Sequence, residues 1–245
     1  MTDLIRLDHA VITTAHPEAC AAFYGSLPGV EIQSVRGRLN IHFGSQKINA
    51  HVPDSGLYPL AKNVIAGSAM LCLGARGDAE EWRQMFGHLG SRLLPGRAGL
   101  LCATDPDGNR LCLEISQGQP MALLSLDGLA LGVRDLQASL DFYGAVLGMA
   151  EITAFAGGRA LAAGSARISL LEAPAADNPA PGSADFCFLA SGNIGEIQAR
   201  LAKSGAPFVP DLGIVRRHGA TGPLDSVYLR DPDGNLVEIG VPASR

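Results

Sequence analysis

The chain has 245 residues, 47% of them hydrophobic and 18% charged, a composition typical of folded globular proteins rather than of disordered chains. A net charge of −5, a pI near 5.6 and the lack of any basic block argue against a nucleic-acid partner. No apolar run approaches the roughly 18 residues of a membrane helix, and the N-terminal residues do not read as a signal peptide. Of the five cysteines, three lie in apolar strand-like runs (Cys72, Cys112 and Cys187), which favours buried reduced thiols and a cytoplasmic protein without a membrane partner.

The first half of the chain reads as strands alternating with helices. Residues 5–13 predict a strand with His9 on one face, and Pro17 suits the first turn of a helix that continues to Tyr24. The remaining predicted elements are strands at 39–43 and 47–51, a loop at 52–66, a strand at 69–73, a helix at 78–88, and strands at 100–103 and 110–116.

A turn with the sequence Asp-Pro-Asp-Gly-Asn occurs twice, at 105–109 and at 231–235. Proline fixes φ, glycine permits positive φ, and Asp and Asn side chains bond their own backbone, so both copies predict a tight turn. Other motifs recur in the same order: Leu7-Asp8 as Leu126-Asp127, Phe23-Tyr24-Gly25 as Phe142-Tyr143-Gly144, and Gly67-Ser68-Ala69 as Gly182-Ser183-Ala184. The repeats predict a duplication of about 120 residues, with halves at 1–117 and 123–245, each built from two strand–helix–strands modules.

The strand after the second turn carries Glu238 inside the apolar run Leu236, Val237 and Ile239. A carboxylate in a buried strand is costly unless it is paired or bound to a metal. After the first copy of the turn, Cys112 fills the same position. The two copies therefore differ at the residue that points to a function.

These motifs resemble the vicinal oxygen chelate superfamily, which includes glyoxalase I, bleomycin and fosfomycin resistance proteins and extradiol dioxygenases. The resemblance covers nearly the whole chain, and these stretches carry it: Leu7-Asp8-His9, the Phe-Tyr helix, Phe43 to His51, Gly182 to Asp185, and Tyr228 to Glu238. It implies an α+β fold in which four βαβββ modules form two cupped mixed β-sheets.

In that superfamily each module offers one metal ligand from its first strand and one from its last. The resemblance places His9 and His51 at these positions in module one, and Asp185 and Glu238 in module four. Modules two and three have Met70, Cys112, Gly128 and Leu171 there. Pairing within each half would give two poor sites, whereas crosswise pairing of one with four and two with three would give one complete set. We therefore predict crosswise pairing, one metal site and one vestigial cup.

Two imidazoles and two carboxylates suit one first-row divalent ion: Fe, Mn, Ni, Co or Zn. The resemblance implies a small-molecule substrate that chelates this ion through vicinal oxygens, with lyase or isomerase chemistry and Glu238 as the catalytic residue. A loop at 215–225, much longer than its counterpart before Asp105, is expected to line or cover the cup. The predicted substrate contacts are Asn49, Arg217, His218, Thr221, Tyr228 and Arg230.

Three alternatives stay open. Glu114 would rebuild a triad with His9 and His51 in the first half if the strand register shifts. The spacing of His218, Tyr228 and Glu238 nearly fits the extradiol dioxygenase signature, which suggests a ring-cleaving enzyme, although Gly128 and Asp185 depart from that family's ligand pattern. The third alternative is a non-catalytic drug-binding protein of the bleomycin-resistance type. We expect a monomer with an internal pseudo-dimer, or a weak homodimer.

Overall fold

A computed structural model describes residues 3–35, 38–52, 61, 64–65, 67, 70–97, 99–174 and 178–244. In this part of the chain the strands form two eight-stranded mixed sheets. Most of the predicted loop at 52–66 and the predicted strand start at Ala69 lie outside the described residues.

The first sheet combines the two ends of the chain. From module one it takes β1 (Leu4–Thr13), β2 (Glu31–Val35), β3 (Arg38–Phe43) and β4 (Gln46–His51). From module four it takes β13 (Asp185–Ala190), β14 (Val215–His218), β15 (Pro223–Arg230) and β16 (Leu236–Pro242). The strand order is β14-β15-β16-β13-β1-β4-β3-β2, with β1 and β13 antiparallel at the centre.

The second sheet is built in the same way from modules two and three. Its strands are β5 (Met70–Arg76), β6 (Leu93–Arg97), β7 (Leu100–Thr104), β8 (Arg110–Ser116), β9 (Ala122–Val133), β10 (Ala150–Ile152), β11 (Arg159–Ala163) and β12 (Ala166–Glu172). The order β10-β11-β12-β9-β5-β8-β7-β6 again joins the modules crosswise. The structure thus has the crosswise pairing that the distribution of candidate ligands predicted.

One helix follows the first strand of each module. The helices are α1 (Pro17–Gly25), α2 (Ala79–His88), α3 (Leu136–Leu140), which continues as a π-helical segment over Asp141–Val146, and α4 (Ile194–Lys203). Asp78, Asp135 and Asn193 cap α2, α3 and α4 by accepting hydrogen bonds from backbone N–H groups of the first turn. These caps and the strands around each helix give four βαβββ modules.

The two sheets share one large hydrophobic core that draws residues from all four modules. Equivalent β-hairpins make equivalent contacts across it: Gly44, at the turn between β3 and β4, approaches the Leu124 carbonyl, and Gly164, between β11 and β12, approaches the Ile5 carbonyl. Both glycines have φ of +56° and no room for a Cβ, which explains why the sequence repeats a glycine here.

Each Asp-Pro-Asp-Gly-Asn turn is bound to the helix of the preceding module in its own half. Asp231 Oδ1 accepts from the backbone N–H groups of Asp233 and Asn235, at 3.0 and 2.8 Å, and Tyr143 OH donates to Asp231 Oδ2 at 2.9 Å. Asp105 makes the same contacts in the first half, with Tyr24 as its hydroxyl donor. The turn before β16 is therefore rigid, and it fixes where the strand carrying Glu238 begins.

The cysteines differ in part from the expectation of reduced thiols. Cys102 and Cys112 form a disulfide because the register of β7 and β8 places them directly opposite each other, with 4.1 Å between their Cα atoms. Cys20, Cys72 and Cys187 are free and buried. Among the described residues, no helix combines the length and the hydropathy needed to cross a membrane.

Candidate metal and substrate site

A cavity of about 990 Å³ opens on the face of the first sheet that carries the predicted ligands. It is walled by β1, β3 and β4 on one side and by module four on the other. All four predicted metal ligands line it: His9, His51, Asp185 and Glu238. The crosswise pairing is what brings these four residues together, because they come from opposite ends of the chain.

The strand register shows how the two modules correspond. His9 pairs with Cys187 and Val11 pairs with Asp185, so a local two-fold axis between β1 and β13 relates His9 to Asp185. In module four Asp185 lies opposite Leu236, and in module one His9 lies opposite Lys47. Lys47 is therefore the counterpart of Leu236. Two residues beyond these positions, Asn49 on β4 is the counterpart of Glu238 on β16, and His51 lies two residues beyond Asn49.

His9 is held in one orientation by its neighbour in sequence. Asp8 is fully buried, and its Oδ2 lies 2.9 Å from His9 Nδ1 and accepts a hydrogen bond from the Ala220 backbone N–H at 2.8 Å. Burial raises the pKa of Asp8. The hydrogen bond with His9, the positive charge of the His9 ring and the hydrogen bond from Ala220 lower it by more, so the net pKa is below its usual value. A charged Asp8 favours the tautomer of His9 with the proton on Nδ1. The lone pair on Nε2 then faces the cavity.

Glu238 is positioned by two hydroxyl groups of the neighbouring strand, β15. Ser226 and Tyr228, on β15, donate hydrogen bonds to Oε1 at 2.6 Å and to Oε2 at 2.9 Å. Glu238 Oε2 lies 3.6 Å from His9 Nε2. The carboxylate is thus oriented by two hydroxyl groups and directed toward the imidazole across the sheet.

Asp185 and His51 are half-buried in the cavity wall, and both have shifted pKa values. Burial raises the pKa of Asp185 to about 7, with His9 opposing the shift and Glu238 adding to it. Burial lowers the pKa of His51 to about 4, and the positive charge of Arg38 adds to that shift. His51 Nδ1 has no hydrogen-bond partner, nor does Asn49 Oδ1 in the same wall. Unpaired buried nitrogen and oxygen atoms that face a cavity are groups that a cation could satisfy.

The ligand atoms of the predicted set are not gathered around one point. Among the described residues, the group whose potential ligand atoms all lie within 4.8 Å of one another is Asp8, His9 and Cys187. Asp8 in this group already accepts from the Ala220 N–H and contacts His9, and burial raises the pKa of the Cys187 thiol, which disfavours the metal-binding thiolate. We therefore keep the predicted ligand set, in which Asp8 supports His9. The register makes Asn49 a rival of His51 for the fourth ligand.

The segment predicted as a loop at 215–225 is instead a β-hairpin, in which residues 219–222 join β14 to β15, and this hairpin lines the cavity. Residues 217–222 line it, and two contacts hold the hairpin to module one: Ala220 N–H to Asp8, and Lys47 Nζ to the His218 carbonyl at 3.0 Å. Of the predicted substrate contacts, Asn49, Arg217, His218, Thr221 and Tyr228 line the cavity. Arg230 is absent from the lining, and its guanidinium donates to the Gly234 carbonyl at 3.1 Å.

Several lining residues were not predicted as site residues from the sequence: Gln33, Arg38, Asn40, His42 and Lys47. They share one face of β2, β3 and β4, alternating with core residues such as Leu39 and Ile41. Lys47 is 5% exposed, and its pKa is lowered by burial against the opposing charges of Asp8 and Glu238. The alternation of polar residues at 38, 40 and 42 was the signal available in the sequence.

The ligand positions on the equivalent face of the second sheet are apolar. Met70, Cys112 and Leu171, the residues at the ligand positions, pack in one hydrophobic cluster with Phe155 against it. Gly128, the counterpart of His9, has no room for a side chain because a Cβ would lie 2.9 Å from Phe155 Cζ. This cup is filled by protein side chains, as expected for a vestigial site.

The alternative triad with Glu114 is wrong for this fold. Glu114 lies on β8 of the second sheet, where it forms an ion pair with Arg167 at 2.6 Å. His9 and His51 lie in the first sheet, so crosswise pairing separates Glu114 from both of them.

Comparisons with known proteins agree with this architecture. The family model described as the Glyoxalase/Bleomycin resistance protein/Dioxygenase superfamily matches residues 125–239. A virulence protein of Salmonella typhimurium is 40% identical over 124 residues, which are 49% of this chain and 85% of that protein. A glyoxalase domain-containing protein of Mycosarcoma maydis is 38% identical over 128 residues, which are 50% of this chain and 71% of that protein.

Two solved structures share the fold along nearly the whole chain. Glyoxalase I from Zea mays superposes with a TM-score of 0.65 at 17% identity, covering 96% of this chain and 92% of that one. A Bacillus subtilis protein provisionally described as a dioxygenase gives a TM-score of 0.72 at 15% identity, covering 100% of this chain and 87% of that one. At such low identities the likeness concerns the fold alone, and it confirms the predicted α+β architecture of two mixed sheets.

Proposed function

Because the chain belongs to the Glyoxalase/Bleomycin resistance protein/Dioxygenase superfamily, we propose that the first-sheet cavity is the active site of a metal-dependent enzyme. The enzyme would hold one divalent ion (Fe, Mn, Ni, Co or Zn) and act as a lyase or isomerase on a small metabolite with vicinal oxygens. One observation carries the proposal: His9, His51, Asp185 and Glu238 line one cavity, whereas the equivalent positions of the second sheet are apolar.

The side chains present fit such an ion. His9 Nε2 is left free by the Asp8 contact, His51 Nδ1 is buried without a partner, and carboxylate oxygens come from Asp185 and Glu238. Mixed nitrogen and oxygen donors suit first-row divalent metals, and a carboxylate behind a ligating histidine is a common support. Asn49 Oδ1 is an additional oxygen donor that competes with His51 for the fourth position.

A bound divalent ion would supply Lewis acidity that stabilises negative charge on a chelated oxygen. The protein would supply the rest. Ser226 and Tyr228 fix the Glu238 carboxylate, the catalytic residue of this proposal, in one orientation for proton transfer. Residues 217–222, from the end of β14 through the turn before β15, line the cavity and would limit the access of water to a bound substrate.

The test is the metal content of the purified protein, measured by mass spectrometry for wild type and single variants. We expect about one ion per chain, lost in His9→Ala and Glu238→Ala and kept in Glu114→Ala, the matched carboxylate of the second sheet. Comparing His51→Ala with Asn49→Ala identifies the fourth ligand. Wild-type protein that stays metal-free after incubation with each of the five ions would refute the proposal and favour a non-catalytic binding protein.

Ring cleavage is a second candidate function, because His218 and Tyr228 of the near-signature both line the cavity with Glu238. Oxygen uptake with catechol by the ferrous protein, prepared without air, would distinguish it from lyase or isomerase chemistry. Ring cleavage would be excluded if the ferrous protein takes up no oxygen with catechol but turns over another chelating substrate.

We also propose that the protein acts as a monomer in the cytoplasm. Each sheet is completed by modules of the same chain, so the pseudo-dimer needs no second copy to build the cavity. Light scattering of the purified protein tests the monomer, and fractionation of cells that express the protein tests its location.

A further inference from the structure

We propose that the substrate of the first-sheet cavity carries an acidic group in addition to its chelating oxygens, and that Lys47 and Arg217 bind this group. The position of the chelating oxygens rests on the proposed function. The acidic group is inferred separately, from the charge of the cavity wall.

The duplication provides an internal comparison for Lys47. Lys47 lies opposite His9 on β4, and Arg167 lies opposite Gly128, the counterpart of His9, on β12. In the second sheet two carboxylates compensate this cation: Glu114 at 2.6 Å and Asp127 at 3.6 Å from Arg167. The cation is therefore retained in both copies of the module, but its partners differ.

Lys47 has no carboxylate within 4 Å among the described residues, although it is the more buried of the two cations. It is 5% exposed, against 23% for the Arg167 side chain. Its hydrogen bond to the His218 carbonyl uses one of three ammonium N–H groups. A buried ammonium that no carboxylate contacts is costly even with the charges of Asp8 and Glu238 in its surroundings, which indicates that an anion from outside the protein completes its environment.

Arg217 extends the same positive region from the opposite wall. Its Nε donates to Tyr228 OH at 3.2 Å, and the guanidinium lies over the Tyr228 ring, 5.6 Å from its centre. No described carboxylate lies within 4 Å of it. The adjacent Arg216 is instead bound by both oxygens of Asp225 outside the cavity. Arg217 is thus positioned by an aromatic ring and keeps donors free for a planar anion.

The balance of charge in the cavity points the same way. Three permanent cations line it (Arg38, Lys47 and Arg217) against the carboxylates of Asp185 and Glu238, and the buried Asp8 behind His9 balances the third cation, so the excess comes from the metal. A divalent ion at the proposed site would add two further positive charges. A neutral chelating substrate would leave this excess uncompensated, whereas an acidic substrate neutralises part of it and is attracted into the cavity.

The test has two arms, both measured by titration calorimetry. In the metal-free protein the probe is inorganic phosphate, which examines the cations alone. In the zinc-loaded protein the probes are catechol and 3,4-dihydroxybenzoate, which differ by one carboxylate and chelate through the same oxygens, and zinc adds no redox chemistry. The variants are Lys47→Met and Arg217→Met, with Arg216→Met as the control for the loss of one surface charge.

We expect phosphate to bind the wild type, and the affinity to fall about tenfold or more in Lys47→Met and in Arg217→Met but not in Arg216→Met. In the zinc arm, 3,4-dihydroxybenzoate should bind at least tenfold more tightly than catechol, and Lys47→Met should abolish the preference. Phosphate binding that is absent or independent of Lys47 would overturn the inference. Lys47-dependent phosphate binding with no zinc-dependent chelation would instead retain it and refute the proposed function, and thermal melts of each variant verify that it folds.

Discussion

Replacement of Asp8 by asparagine is the sharpest test of how the site is supported. Asp8 accepts from two groups at once, His9 at 2.9 Å and the Ala220 N–H at 2.8 Å. Asparagine has the same shape but one acceptor and one donor end. Because one oxygen, Oδ2, makes both contacts, an asparagine whose oxygen takes that place keeps both hydrogen bonds but loses the negative charge that supports His9.

The magnitude follows from these two contacts. Loss of a supporting carboxylate behind a ligating histidine weakens metal binding by about 10- to 100-fold. If the NH₂ group takes the place of Oδ2 instead, the Ala220 N–H loses its acceptor and His9 is left with the tautomer protonated on Nε2, so the free energy of unfolding also falls by about 1–3 kcal/mol. Zinc titration and urea unfolding measure the two effects separately, and weaker zinc binding is expected in both orientations.

Asp127→Asn is the matched control, because Asp127 holds the same position in the second half. It is 28% exposed and lies 3.6 Å from Arg167, so its loss should change the free energy of unfolding by less than about 0.5 kcal/mol and leave metal binding unchanged. Wild-type metal affinity and stability in Asp8→Asn would refute the reasoning, as would equal effects of the two substitutions.

Further predictions concern pH and the second cup. In the metal-free protein the raised pKa of Asp185, about 7, makes the folded state bind more protons than the unfolded state, so this group makes stability fall as the pH rises from 4 to 7. The lowered pKa of His51, about 4, has the opposite sign and makes stability rise between pH 4 and 6.5. Urea unfolding at pH 4.5 and 6.5 measures these effects as the change in stability between the two pH values. Relative to wild type, this change should be more positive in Asp185→Asn and more negative in His51→Asn. The opposite signs would contradict both assignments. Gly128→Ala should lower the free energy of unfolding by about 1–3 kcal/mol, because its Cβ would crowd Phe155, while leaving one metal ion per chain; an unchanged unfolding midpoint would show that the second cup has free space.

The fold and its crosswise arrangement could be predicted because they depend on local and repeated features. Both Asp-Pro-Asp-Gly-Asn turns precede strands, as their turn chemistry indicates, and the uneven distribution of candidate ligands between modules favoured crosswise pairing over pairing within halves. Edge strands were harder to predict. Glu31–Val35 and Leu93–Arg97 were not assigned, since strands at or near an edge bury little and show weak alternation.

The missed parts of the site depend on register, which the sequence does not encode locally. The register shift between Leu7 and His9 lets Asp8 reach the ring of its own neighbour, whereas a regular strand would direct the two side chains to opposite faces. The offset of β1 against β4 places Lys47, not His51, opposite His9. The disulfide between Cys102 and Cys112 likewise follows from the pairing of β7 with β8.

The crosswise topology also sets the order in which the protein can fold during synthesis. Strand β1, with His9, leaves the ribosome early, but its inner partner β13 begins only at Asp185. Modules two and three lie between these strands in sequence and can complete the second sheet first. Pairings across such long separations close slowly and leave a strand edge open meanwhile. We therefore expect the candidate site to be the last part of the molecule to assemble, and chaperones that bind exposed strands to act on its module-one wall.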